Sequence, residues 1–400
     1  MTLQTVASGI EQLLNQVRCL VQTEQVSLQQ ASGRVLAQDV ISAIDVPPAN
    51  NSAMDGYALC AADLRNDQLT ALPISQRIQA GDAPMALTPG TAARIFTGAE
   101  IPAGADTVVM QENCRQDDDQ LIVLQSPRQG ENIRPQGQDI RTDSTILLKG
   151  TRLRPQEVSL LASIGIASIE VYQPLTVAII NTGNELVEPG KPLKPGQIYN
   201  SNRFLLDGML QQWGFKTIHQ DIVNDTLADT QTALSQAAEQ ADIVISTGGV
   251  SVGEEDHIKP AVEALGKLEL WKMAIKPGKP FAFGHIEQTP FIGLPGNPAS
   301  GFVTLLIIAR PFLLASQGRK TSDLYPAEIE IKANFSRKTV KREEYLRARL
   351  SQDGVEPYSN QSSGVLVSSC WGDCLVKQAI GDDIKQGQLV KTLFYQNLFF

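Results

Sequence analysis

A chain of 400 residues, 42% hydrophobic and 19% charged, is long enough for two to four packed domains. Its net charge of −9 argues against nucleic acid or an anionic membrane as the main partner, while an anionic small substrate stays open wherever positive charge clusters. Five scattered cysteines (Cys19, Cys60, Cys114, Cys370 and Cys374) read as cytosolic free thiols and not as a disulfide framework; no membrane span or signal peptide is read, so a cytoplasmic protein is expected.

In chain order, residues 5–22 place Ile10, Leu13, Leu14, Val17 and Val21 at helical spacing, which predicts an amphipathic opening helix. A strand-like run, Val35 to Ile41, follows a turn around Gly33. From about 60 to 150, short apolar runs alternate with Gly/Pro turns, the pattern of a small all-β insertion. Helical patterning resumes at RPQEVSLLASIG. Residues 173–315 alternate strand and helix, which predicts a parallel sheet with crossover helices. The first, third and last strands of that series end in NTGNE, STGGVS and LPGNP, and ligands bind beyond such carboxyl ends. Residues 320–400 read as strands again, in AEIEIKANF, EYLRARL and GVLVSSC.

The chemistry gathers in these loops. In STGGVSVGEEDHIKP, Gly248, Gly249 and Gly253 let a backbone approach an anion, Ser251 adds a donor, and Asp256 suits a cation that would bridge acid and anion. The loop is neither a P-loop nor a GxGxxG turn. Glu185, in NTGNEL, is a second carboxylate at the same edge. Lys272, Lys276 and Lys279 crowd eight residues stiffened by Pro277, Gly278 and Pro280, a cluster suited to an oxyanion. Ser300 follows Asn297 and Pro298 at a helix start. Arg347 and Arg349 share one strand face, with Ser362, Ser363 and Gly364 downstream. Asp55, Thr97 and Asp139 punctuate loops of the insertion. The three histidines, His219, His257 and His285, have no metal-ligand spacing and no triad partner.

Together PPANNSAMDGYAL, RIFTGAEIPAGADTVVMQE, GENIRPQGQDI, INTGNEL, IYNSN, STGGVSVGEEDHIKP, WKMAIKPGKPFAFG and LPGNPAS resemble, in order, the molybdopterin molybdenumtransferase family, also seen as the E domain of gephyrin-like proteins. The resemblance implies an elongated multidomain subunit of α/β plus β class. Its parts would be a discontinuous N-terminal domain (1–45 and 141–172), a β-rich insertion (46–140), an α/β molybdopterin-binding domain (173–320) and a C-terminal β-barrel-like domain (321–400). It implies a homodimer whose cleft is made partly by the partner subunit, and insertion of molybdate into adenylylated molybdopterin with release of AMP and use of Mg2+. Carried over, Gly248, Gly249, Ser251 and Gly253 face the nucleotide and pyrophosphate. Glu185, Asp225 and Asp256 surround the cation, and Lys272 and Lys276 neutralise phosphate. Lys276, Lys279, Ser300, Arg347 and Ser363 form the molybdate pocket, with Pro295 and Pro298 beside it and Ser362 an alternative to Ser363. Asp55, Thr97 and Asp139 reach the cleft from the other face. The adenylyltransferase and the molybdoenzymes that receive the cofactor are implied partners. Two other readings fit parts of the chain: a molybdopterin adenylyltransferase, for which the outer domains are superfluous, and a non-catalytic pterin-binding scaffold.

Overall fold

The computed structural model describes residues 3–64, 69–249 and 257–399. The chain divides into two compact units: residues 1–37, 149–153 and 170–400 form one, and residues 38–148 and 154–169 the other.

The smaller unit is built on a six-stranded sheet in the order 107–110, 56–59, 92–95, 70–78, 120–123, 114–117. Alternation fills both faces: Tyr57 and Leu59 join one apolar cluster with Leu72, Val109 and Leu121, while Ala58 joins another with Ile78, Ile95 and Val108. The helix expected from RPQEVSLLASIG spans Pro155–Ser163, with Pro155 in its first turn and Glu157 closing a capping box on the Arg154 N–H at 2.9 Å.

The larger unit opens with a helix that is shorter than its apolar spacing predicts. It covers Val6–Leu14, and Val17, Leu20 and Val21 pack on the core from the chain beyond it. Tertiary burial there replaces helical continuation. The α/β part runs β1 (Thr176–Asn181), α1 (Ser201–Gln212), β2 (Lys216–His219), α2 (Leu227–Gln240), β3 (Ile243–Thr247), α3 (Ile258–Leu265), β4 (Gly266–Lys272), β5 (Ile275–Lys276), β6 (Pro280–Ile286), β7 (Thr289–Leu294) and α4 (Pro298–Thr304). The sheet order is β2-β1-β3-β7-β6-β4. The first four strands are mutually parallel, as crossover helices require, and β6 and β4 add on antiparallel. Only Glu287 and Gln288 separate β6 from β7, too few for a crossover, so that pair is a hairpin.

Odd and even positions of the strands bury on opposite faces. Val177, Ile179, Ile243, Ile245, Ile292 and Leu294 pack with Leu206, Leu210, Phe302 and Leu306. Ala178, Ile180, Val244 and Phe291 pack with Leu234, Ala237 and Val262. The result is three layers, helix on sheet on helix. The helical stretch Pro298–Ser316 is long and apolar enough to cross a membrane by length and composition, but 94% of it is buried inside the unit, as for a core helix. It widens to a π-turn over Leu305–Ala309, just before Pro311, whose missing N–H would have bonded Ile307.

The last strands are β8 (Ile329–Lys332), β9 (Glu343–Ser351), β10 (Gly354–Pro357), β11 (Cys374–Gln378) and β12 (Leu389–Phe394), in the order β5-β9-β11-β12-β8 with β10 also on β9. The short β5 thus ties the lysine-rich segment to the C-terminal sheet, with Lys276 opposite Glu344. The strand expected at GVLVSSC is instead a turn and a short helix, α5 (Val367–Trp371). The buried Arg347 explains the departure. Its Nε donates to Ser368 Oγ at 3.0 Å, and that hydroxyl donates to the Val365 carbonyl at 2.6 Å, a pairing that an extended chain would not offer.

Candidate functional site

β1, β3 and β7 are parallel neighbours, so their carboxyl ends share one edge. Across that edge the Asn181 amide donates to the Thr247 hydroxyl. Gly248 and Gly249 follow with φ of +85° and +68°, in the left-handed region that favours glycine. The Gly248 N–H donates to the Leu294 carbonyl at 3.1 Å, and a Cβ at Gly296 would stand 3.4 Å from the Gly248 Cα. The STGG and LPGNP loops therefore approach backbone to backbone.

Beyond this edge opens a cavity of about 650 Å³. Thr182, Glu185, Gly248 and Gly249 line it from the β1 and β3 loops. Lys276 and Lys279 line it from the stiffened segment, Pro295, Pro298 and Ser300 from the turn into α4, and Arg342, Gln361, Ser362 and Ser363 from the C-terminal region. Among the described lining residues, three cations (Lys276, Lys279 and Arg342) face one carboxylate, Glu185. In a chain of net charge −9, that local excess of positive charge favours an anionic ligand.

The surrounding hydrogen bonds hold the walls. The Ala299 N–H, at the start of α4, donates to the Ser363 carbonyl at 3.0 Å. This links the LPGNP loop to the QSSG loop. Asn202 donates to the Gly296 carbonyl at 2.7 Å, and its Oδ1 is buried with no partner among the described residues. Arg342 donates to the Ile275 carbonyl at 3.1 Å, and Lys276 pairs with Glu344 at 3.0 Å.

Glu185, Gly248, Gly249, Lys276, Lys279, Pro295, Pro298, Ser300 and Ser363 therefore meet around one cavity, and Ser362 lines it as well. Arg347 does not line it. Its side chain is fully buried, donates to the Ser362 carbonyl at 3.1 Å, and burial lowers its pKa below the usual arginine value. It fixes the QSSG loop from behind. Lys272 ends β4 outside the lining, where its carbonyl accepts from the Gln4 N–H. Asp225 is also outside the lining. Its N–H donates to Asn184 Oδ1 at 3.2 Å, which joins its loop to the loop that carries Glu185. Ser251, Gly253 and Asp256 lie outside the described residues. Among the described residues no three His, Cys, Asp or Glu side chains gather as a metal-binding group. The lining also includes Asn202, Arg342 and Gln361, which residue-type reasoning passed over. Arg342 stood in KREEYLRARL, where Arg347 and Arg349 drew the attention.

Asp55, Thr97 and Asp139 belong to the smaller unit. Asp55 Oδ1 accepts from the Thr97 N–H at 2.8 Å and from its hydroxyl at 2.7 Å. The backbone bond and then the hydroxyl hold the Asp55 carboxyl below the usual 3.8. A depressed carboxyl adds stability above its unfolded pKa and loses it as pH falls through the folded value. Asp55→Asn is therefore expected to lower the urea midpoint at about pH 6 and to match the wild type more closely at about pH 3. A constant difference across both would disprove the linkage.

Comparison with known proteins places this geometry. Residues 4–165 match the model of the MoeA N-terminal region (domain I and II), residues 178–315 a probable molybdopterin binding domain, and residues 332–395 the MoeA C-terminal region (domain IV). A molybdopterin molybdenumtransferase of Haemophilus influenzae is 41% identical over 379 residues, 93% of either chain. One from Nostoc sp. is 36% identical over 93% of this chain and 88% of its own. Among solved structures, a molybdopterin biosynthesis moeA protein from Pyrococcus horikoshii OT3 superposes with a TM-score of 0.86 at 28% identity, covering 98% of this chain and all 100% of that one. Matching relatives of that name along nearly its whole length, the chain belongs to the molybdopterin molybdenumtransferase family.

Proposed function

We propose that this chain inserts molybdate into adenylylated molybdopterin and releases AMP, a step of molybdenum cofactor biosynthesis. The observation that carries the reading is the cavity wall, where among the described lining residues Lys276, Lys279 and Arg342 outnumber Glu185. Molybdate is a dianion and needs cations and hydroxyl donors; Ser300 and Ser363 supply the hydroxyls. The glycine backbone at Gly248 and Gly249 admits the pyrophosphate. Hydrolysis of the adenylate needs an oriented oxygen nucleophile and charge stabilisation, not a protein nucleophile. The relatives named for the transferase match both outer regions of the chain, for which a single-domain adenylyltransferase has no use.

Magnesium binds through one or two carboxylates plus substrate phosphates, and Glu185 at the cavity edge with the Asp225 loop tied beside it fits that demand. Mg2+ there would supply charge neutralisation to the pyrophosphate. Asp256 is the further ligand in this reading, and Lys272 and Lys276 neutralise phosphate. Arg347 acts by positioning Ser362 and Ser363. The same reading has a cytoplasmic homodimer, with Asp55, Thr97 and Asp139 contributed by the partner subunit, and with the adenylyltransferase and the molybdoenzymes as its neighbours in the route.

The test is single-turnover AMP release from adenylylated molybdopterin and Mg2+, with and without molybdate. Molybdate-dependent release is expected, slowed by about 100-fold in Glu185→Gln, the upper end of the cost of disturbing a metal site. No AMP release by the folded wild type would sink the proposal.

A further inference from the structure

We infer that Glu344 is a positioning residue that fixes the Lys276 ammonium at the cavity wall, with Arg337 as the brace that answers the carboxylate's charge. The inference rests on the oxyanion-binding reading above. Parallel pairing of β5 with β9 sets Lys276 directly opposite Glu344. The Glu344 side chain is 1% exposed, and its Oε1 receives both Lys276 Nζ at 3.0 Å and Arg337 Nη2 at 2.8 Å. Its Oε2 is buried with no hydrogen-bond partner among the described residues, as is Arg337 Nε.

This is a poor arrangement for stability alone. A buried carboxylate with one oxygen idle costs more than an apolar side chain of the same volume. It is a good arrangement for presenting a charge. A lysine stem is long and flexible, so an ammonium at a cavity wall stays in place only if something holds it. One carboxylate shared by two cations leaves the triad with net charge +1, so Lys276 keeps attraction for an incoming anion. An ammonium carries three donors, and Glu344 engages one direction, which leaves the others for the ligand. Because Arg337 remains on Oε1, the carboxylate is still answered when Lys276 turns part of its charge to an oxyanion.

The experiment is a double-mutant cycle read by molybdate concentration at half-maximal AMP release, joined to reductive methylation of lysines followed by mass spectrometry in the absence of substrate. Glu344→Gln is expected to raise the half-saturating molybdate about tenfold in the wild-type background and to add little in Lys276→Met, because its effect passes through Lys276. It is also expected to raise labelling of Lys276 relative to Lys279. Equal losses in the two backgrounds would mean a merely structural role and overturn the inference, as would an unchanged labelling ratio. If Glu344→Gln folds poorly, Glu344→Asp, which keeps the charge but retreats by one methylene, carries both measurements with the same expected directions. A wild type indifferent to molybdate would overturn the proposed function instead, and the labelling ratio would still decide whether Glu344 holds Lys276.

Discussion

Lys279→Met is expected to raise the molybdate concentration at half-maximal AMP release by about 10- to 100-fold, the equivalent of one lost charge-assisted hydrogen bond of about 1.5–3 kcal/mol, with the urea midpoint unchanged. Of the three cations at the cavity, Lys276 is paired with Glu344, and Arg342 donates to the Ile275 carbonyl. Lys279 is exposed, lines the cavity and has no ion pair among the described residues. Among the described residues its charge is therefore the least answered of the three. An anion entering the cavity gains most from it and loses most when it is gone. Methionine keeps the length of the stem, so packing is preserved and an exposed position leaves folding unaffected. Unaltered molybdate dependence in the variant would remove Lys279 from the pocket and leave the oxyanion to Lys276 and Arg342.

Much of this site was legible in the chain because it is built from loops that follow strands. A buried run such as DIVIST followed by glycines marks the end of a parallel strand whatever the rest of the fold does, and three such ends mark one edge in the sequence itself. The lysine segment was legible because prolines and a glycine excluded a helix face. What stayed hidden depended on contacts distant in sequence. Nothing local distinguishes Arg342, which reaches the cavity, from Arg347, which is buried behind it; the difference comes from β9 pairing with β5 on one side and β11 on the other. GVLVSSC has strong β propensity, yet it bends into a helix where Ser368 meets Arg347. The opening helix ends at Leu14 although apolar spacing continues, because the following residues find burial without helical geometry. Local pattern thus positioned the glycine loops, while the selection among the arginines was decided by tertiary pairing.

Gly278→Ala is expected to destabilise the larger unit by about 2–4 kcal/mol and to abolish most of the molybdate response, because this residue sets the spacing between Lys276 and Lys279. Gly278 has φ of +105°, in the region that side chains rarely adopt, and an added Cβ would lie 2.2 Å from the Thr304 Cγ2 methyl. Thr304 cannot simply turn away. It is fully buried, and its hydroxyl donates to the Ser300 carbonyl at 2.8 Å, so rotation would exchange a clash for an unpaired buried hydroxyl. The segment has to move instead, and the lysines move with it. Thr304→Ser separates the two costs. It removes the methyl and keeps the hydroxyl bond, at about 1 kcal/mol on its own for the small void. In Gly278→Ala/Thr304→Ser the clash is relieved and the backbone strain remains, so the double variant is expected to be more stable than the sum of the single losses by about 1–2 kcal/mol. Urea titration of the four proteins closes the cycle. Strict additivity would show that the cost lies entirely in the backbone angle, and wild-type stability in Gly278→Ala would show that neither the angle nor the contact constrains the lysine segment.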